Sequence, residues 1–162
     1  MKITLGIDPG KGGGMAVIES KKDSNIFTAY NCPDTIEGMV EFASMISSKK
    51  VPIDCFLEKV HAFPTDGRSS AFKFGMNYGT WRGILCSFSI KAELITPQSW
   101  QKSFGELPKI KQERKRKLKE IATEESNIKA TLKTADAICI AIYGYQLIKT
   151  EEIEKGYKWK EY

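Results

Sequence analysis

The chain has 162 residues, enough for one compact domain that buries roughly two-thirds of its unfolded surface. Its 41% apolar and 28% charged content is that of an ordinary soluble protein. No apolar run approaches the ~20 residues of a membrane span and the N-terminus carries no signal-peptide core, so the expectation is a cytoplasmic protein that does not engage a membrane.

A single histidine rules out a histidine-rich metal site. The four scattered cysteines, Cys32, Cys55, Cys86 and Cys139, read as reduced, buried thiols rather than a disulfide framework. The net charge of +5 is unevenly placed: between Lys109 and Lys119 seven Lys/Arg stand against one acid, Glu113, a local +6. That concentration reads either as a phosphate-binding surface or as a solvated helix face.

In chain order, Ile3 to Ile7 is an apolar strand that delivers Asp8 and breaks at once into Pro9 and glycines. Met15 to Ile18 returns as the second strand of a hairpin, which leaves Asp8 at the rim of a sheet. Asn25 to Cys32 is a third, edge-like strand. Asp34 and Glu37 have the spacing of a capping box, and Ile36, Met39, Val40, Ala43 and Ile46 continue at helical spacing, so residues 35–48 are a helix. Ile53 to Glu58 is a short strand that again ends in an acid.

His61 to Ser70 is a loop by its Pro, Gly and Ser content. Ser69 or Ser70 then caps a helix running to about Phe88. In it Ala71, Gly75, Gly79 and Gly83 recur every four residues, a stripe that calls for close backbone approach. It reads as packing on a helix or the sheet of the same protomer, or else on a second copy. Lys91 to Ile95 is a fifth strand. Gln98 to Pro108 is loop and turn with Trp100 packed, and Ile110 to about Ser126 is the basic helix. Thr134 to Lys149 is a buried apolar helix with one acid, Asp136, in its first turn. Residues 1–150 form one domain, and 151–162 a charged, loose tail on which Tyr157 and Trp159 can dock.

Strands early and in the middle, with helices interleaved and at the end, make a three-layer α/β domain. Asp8 and Glu58 end two strands that can be neighbours at the sheet centre, and Asp136 begins a helix buried against them. Each acid has a plainer reading: Asp8 as a turn residue, Glu58 paired with Lys59 or Arg68, Asp136 stabilised by its helix N-terminus. Taken together, three converging carboxylates raise one another's pKa unless divalent cations neutralise them, and oxygen-only ligands suit Mg²⁺ or Mn²⁺. Two such ions ~4 Å apart can activate a water and stabilise the leaving oxygen of a phosphodiester.

Five motifs occur in this order: Gly6-Ile7-Asp8-Pro9-Gly10, Leu57-Glu58-Lys59-Val60-His61, Phe74-Gly75-Met76-Asn77-Tyr78-Gly79, Thr96-Pro97-Gln98-Ser99-Trp100-Gln101-Lys102 and Ala135-Asp136-Ala137. Together they resemble the RuvC family of Holliday junction resolvases, most of all its phage-type members, from Gly6 to about Gly144. The resemblance implies a ribonuclease H-like fold with a five-stranded mixed sheet flanked by helices on both faces. It also implies a homodimer and Mg²⁺-dependent hydrolysis, with Mn²⁺ able to substitute, that nicks four-way branched DNA symmetrically. On that analogy Asp8, Glu58 and Asp136 are metal ligands.

The family usually places a fourth acid one helical turn before the last aspartate. Here the candidate positions hold Leu132 and Lys133, and no acid lies between Glu125 and Asp136. Lys133 is then a catalytic candidate that contacts the scissile phosphate as a point charge, unless water fills the missing coordination place. The basic helix (Lys109, Lys111, Arg114, Lys115, Arg116, Lys117, Lys119) is expected to bind phosphates without reading sequence, and Lys11, Lys59, Arg68 and Lys73 join it. His61 or Phe63 is the candidate for stacking on an opened base.

Three rival readings follow: a junction-binding protein that has lost its chemistry, a nuclease for flaps and forks, and an actin-like ATPase using Asp8 and Gly10 to Gly14 as a phosphate loop. The last needs two domains, for which 162 residues leave no room.

Overall fold

The computed structural model describes residues 1–10, 12–22, 24–59 and 67–158. Five strands form one mixed sheet in the order β3-β2-β1-β4-β5: β1 (Lys2–Ile7), β2 (Gly14–Ser20), β3 (Asn25–Asn31), β4 (Ile53–Glu58) and β5 (Ala92–Ile95). The hairpin partners β1–β2 and β2–β3 are antiparallel, whereas β1–β4 and β4–β5 are parallel. Both acid-tipped strands therefore run side by side in the same direction at the centre of the sheet. Glu58 and the residue after Ile7 emerge at the same edge.

Period-two alternation sorts the side chains onto two faces. Ile3, Leu5, Ile7, Val17, Cys55 and Leu57 point into one core, against α1 (Ile36–Ser47) and α2 (Arg68–Ser87). Ala16, Ile18 and Phe56 point into the other, against α3 (Pro97–Lys102), α4 (Lys111–Ser126) and α5 (Ala135–Lys158). Each fully buried aliphatic side chain contributes about 1.5–3 kcal/mol, so the two cores rather than helix propensity hold the layers together. The α/β layering expected from the sequence is the one observed.

One close contact fixes the site. Helix α5 crosses β1 so tightly that a Cβ on Gly6 would lie 2.4 Å from the Ala137 carbonyl oxygen and from the Ala141 nitrogen. Glycine is what permits that approach. Gly6 lies two residues before Asp8 and Ala137 one after Asp136, so the contact that seats the helix also seats the two acids.

The structure corrects several boundaries. Helix α1 is capped by Thr35, whose side-chain oxygen accepts from the Gly38 N–H, and not by an Asp34 capping box. Helix α2 begins at Arg68 after Gly67, without a serine cap. The segment read as loop from Gln98 contains the short α3, which Thr96 caps with Pro97 in its first turn. Helix α5 runs on to Lys158, through most of the residues expected to be loose.

Of the two readings of the α2 glycine stripe, packing within the protomer is not observed. A Cβ at Gly75, Gly79 or Gly83 would meet nothing within 4 Å among the described residues, so the stripe does not pack on the protomer's own sheet or helices. Cys32, Cys55 and Cys139 are buried free thiols as expected, whereas Cys86 is exposed. Among the described residues no helix is long and apolar enough to cross a membrane.

Candidate active site

Asp8 occupies the turn between β1 and β2. The Gly10 N–H donates to Asp8 Oδ1 at 3.0 Å, and the Asp8 N–H donates to the Gly14 carbonyl at 3.0 Å. A Cβ on Gly13 would lie 2.6 Å from the Asp8 carboxyl carbon, so a glycine there leaves the carboxylate its room. From α2, the Asn77 side-chain amide donates to the Pro9 carbonyl, and the ring of Phe74 sits over Gly10. The acid is thus held by backbone, by a neighbouring helix and by the absence of side chains around it.

Glu58 is the last residue of β4. The Lys59 N–H donates to the Ile95 carbonyl at 2.6 Å, which ties that strand end to β5. The indole N–H of Trp100, on α3, donates to Glu58 Oε1 at 2.9 Å. Asp136 stands in the first turn of α5, just after a knot of hydroxyls in which Thr134 Oγ1 accepts from the Thr131 N–H at 3.0 Å.

All three carboxyls are pushed above their ordinary range. Burial is the main cause for Asp8, opposed by the Gly10 N–H and by the Lys115 charge. Burial and then the Asp8 charge lift Glu58 to about 8, with the Trp100 N–H opposing them and Asp136 adding to the rise. Burial and the Asp8 charge lift Asp136 to about 6, against Lys115 and Arg114. Each acid feels another acid or is felt by one, and Lys115 acts on all three.

The acids still do not close into a cage: among the described residues no group of three Asp, Glu, His or Cys is gathered as a metal site. The donor set nevertheless fits a hard divalent cation. It is made of carboxylate oxygens only, desolvated and raised by one another's charge.

A cleft of about 490 Å³ opens beside Glu58 and Asp136, walled by Phe74 and by Lys59, Lys111, Arg114 and Lys115. The basic helix is therefore split by its periodicity. Lys111, Arg114 and Lys115 face the acids, while Arg116 and Lys119 line a separate groove with Leu132, and Lys117 pairs with Glu120 at 3.7 Å. Lys109 is exposed and lends its carbonyl to Arg114 at 3.1 Å.

Arg68 and Lys73 are exposed on the first turns of α2. Lys133 is exposed in the turn before α5 and does not line the cleft; the cations that act on Asp136 are Lys115 and Arg114. Lys11, His61 and Phe63 lie outside the described residues. Sequence reasoning missed the support given by Asn77, Phe74 and Trp100. The signal for it lay in the two motifs that follow the central acid, since a polar or aromatic residue there has to meet the strand ends.

The fold is that of RuvC. RuvC of T. thermophilus in complex with a Holliday junction substrate superposes with a TM-score of 0.64 at 14% identity, over 91% of this chain and 96% of that one. A second Thermus thermophilus RuvC structure gives 0.61 at 17% identity, over 91% and 97%. No family model and no curated protein matches the sequence.

Proposed function

We propose that this RuvC-like fold is a divalent-metal-dependent endonuclease acting on four-way branched DNA. The reading rests on one observation: Glu58 at the end of β4 and Asp136 at the start of α5 line one cleft, the charge of Asp8 just after β1 acts on both, and the charge of Lys115 acts on all three. Support comes from the match over 91% of the chain to a protein solved on a Holliday junction.

Asp8, Glu58 and Asp136 would hold the cation, whose contribution is charge neutralisation and Lewis-acid activation of a phosphodiester. Mg²⁺ suits the oxygen donors, and Mn²⁺ is expected to substitute. The chain's own cations do the positioning: Lys59, Lys111, Arg114 and Lys115, which line the cleft, draw the phosphate backbone into it. Lys115 keeps the acids from rejecting that backbone.

A homodimer is part of this reading, since paired nicks need two sites. Its support is the open face of α2, where Gly75, Gly79 and Gly83 leave room for a close neighbour and Phe72 and Met76 are 69% and 57% exposed. Sedimentation at micromolar concentration is expected to give twice the 18.2 kDa chain mass.

A second reading, a junction-binding protein without chemistry, is favoured by Leu132 and Lys133 at the places of a fourth acid and by the open arrangement of the three that remain. Labelled four-way junction and matched linear duplex, each with Mg²⁺, Mn²⁺ or EDTA, separate the two. Paired symmetric nicks on the junction alone, and only with metal, support the nuclease. Tight, salt-sensitive binding without nicks in either metal supports the binder. Parallel flap and fork substrates define the breadth of the specificity.

A further inference from the structure

Glu58 is held from one side by a group that nothing in the reaction itself requires. Trp100 is 0% exposed, and its indole N–H donates to Glu58 Oε1 at 2.9 Å. The indole is fixed independently of the acid. It packs edge-on to Phe104, with centroids 6.4 Å apart and planes at 75°. Its short helix is capped by Thr96, whose Oγ1 accepts from the Ser99 N–H at 3.2 Å. That helix follows β5, whose Ile95 carbonyl is bound by the Lys59 N–H. The donor therefore cannot follow the carboxylate, and the carboxylate must follow the donor.

We propose that Trp100 is a positioning residue for this centre, orienting Glu58 through the Trp100 Nε1–Glu58 Oε1 bond so that its remaining lone pairs face the cation. The inference rests on the metal-dependent reading above. An ionised carboxylate offers about four acceptor sites, and one indole N–H uses one of them. Glu otherwise carries ~2 kcal/mol of rotamer freedom, and a donor that removes it beforehand lowers the cost of capturing a cation. Hydrogen bonds to a ligating carboxylate typically change metal affinity or activity by about 10- to 100-fold. The contact also satisfies a buried indole N–H, which a purely structural tryptophan equally needs. The test must therefore separate packing from donation.

Trp100→Phe removes the donor and keeps an aromatic ring, while Phe104→Leu disturbs the packing around Trp100 and leaves the donor. Both variants and the wild type are titrated with Mn²⁺ by calorimetry without DNA, melted, and assayed on the four-way junction for kcat and KM. The expected result for Trp100→Phe is Mn²⁺ binding weakened about tenfold, kcat lowered to a similar degree and KM unchanged, with Phe104→Leu close to wild type in Mn²⁺ affinity. Equal Mn²⁺ affinity in wild type and Trp100→Phe, or equal losses in both variants, overturns the positioning role while leaving the nuclease reading intact. A wild type that binds no Mn²⁺ and cuts no junction overturns both.

Discussion

Strand β4 carries an acid at each end, and the two have opposite fates. Asp54, near its start, lies 2.9 Å from the Lys2 ammonium, and Glu152 reaches the same ammonium at 3.3 Å. Glu58, at its end, has an indole N–H as its donor, two further acids in its field and a pKa pushed to about 8. Three residues of one strand separate a half-exposed ion pair from a carboxyl held in a high-energy state. Chain folding alone gains nothing from the second arrangement. An acid kept buried among acids costs stability, so the far end of the sheet is where binding energy is held in reserve.

Four changes would sharpen or break that contrast. The largest effect is expected at the partners of Glu58. Asp8→Asn or Asp136→Asn is expected to lower junction cleavage in Mg²⁺ by about a thousandfold, about 4 kcal/mol at the barrier, with junction affinity in EDTA unchanged or tighter. Nicking rates and gel-shift titrations on the same preparations check both halves. Cleavage at wild-type rate would place the chemistry elsewhere.

Next is the basic helix. Lys115→Ala, facing the acids, is expected to weaken junction binding and reduce the slope of log Kd against log salt by about one, whereas Lys117→Ala, on the outer face and paired with Glu120, leaves the slope near wild type. A salt series of binding isotherms measures this, and equal slopes would mean that helix orientation does not select the contacts.

The third concerns pH. Between about 4.5 and 8 the unfolded chain has released the Glu58 proton while the folded chain keeps it, so the metal-free protein loses stability as pH rises across that window and levels off above it. Asp136 adds a loss of the same sign between its ordinary value of 3.8 and about 6. Thermal melts without metal are expected to fall with pH, more steeply in wild type than in Glu58→Gln, and excess Mg²⁺ is expected to flatten the curve. A metal-free melting temperature that rises over the same range would contradict the sign.

The smallest effect belongs to the other end of the strand. Lys2→Met removes the partner of Asp54 and Glu152 at the surface, and is expected to cost about 1 kcal/mol or less, with cleavage unchanged, as melts and nicking assays would record.

The same contrast explains what was legible in the sequence. Apolar runs ending in Asp8 and Glu58, and an apolar helix beginning at Asp136, declared the sheet, its two cores and the three acids, because period and burial are local signals. The α2 stripe left two readings open, the protomer's own layers or a second copy, because a row of glycines states only that something comes close and not which surface does. Structure places it on the outside. Lys133 was read, from its place where a fourth acid would stand, as a contact to the scissile phosphate; the turn before α5 leaves it exposed and outside the cleft, where Lys115 arrives from α4. The Trp100 hydrogen bond was hidden for a related reason. It joins residues 42 apart in sequence, through a short helix that Thr96 caps directly before Pro97. Long-range partners of a recognised residue are what sequence patterning conveys least.

The most direct single measurement sets the two ends of β4 against each other: nicking of a labelled four-way junction in Mg²⁺ by wild type, Asp54→Asn and Glu58→Gln. The expected result is cleavage by Asp54→Asn within about twofold of wild type and cleavage by Glu58→Gln lowered about a thousandfold. Glu58→Gln cutting as fast as Asp54→Asn would contradict the assignment of chemistry to the carboxyl end of the sheet.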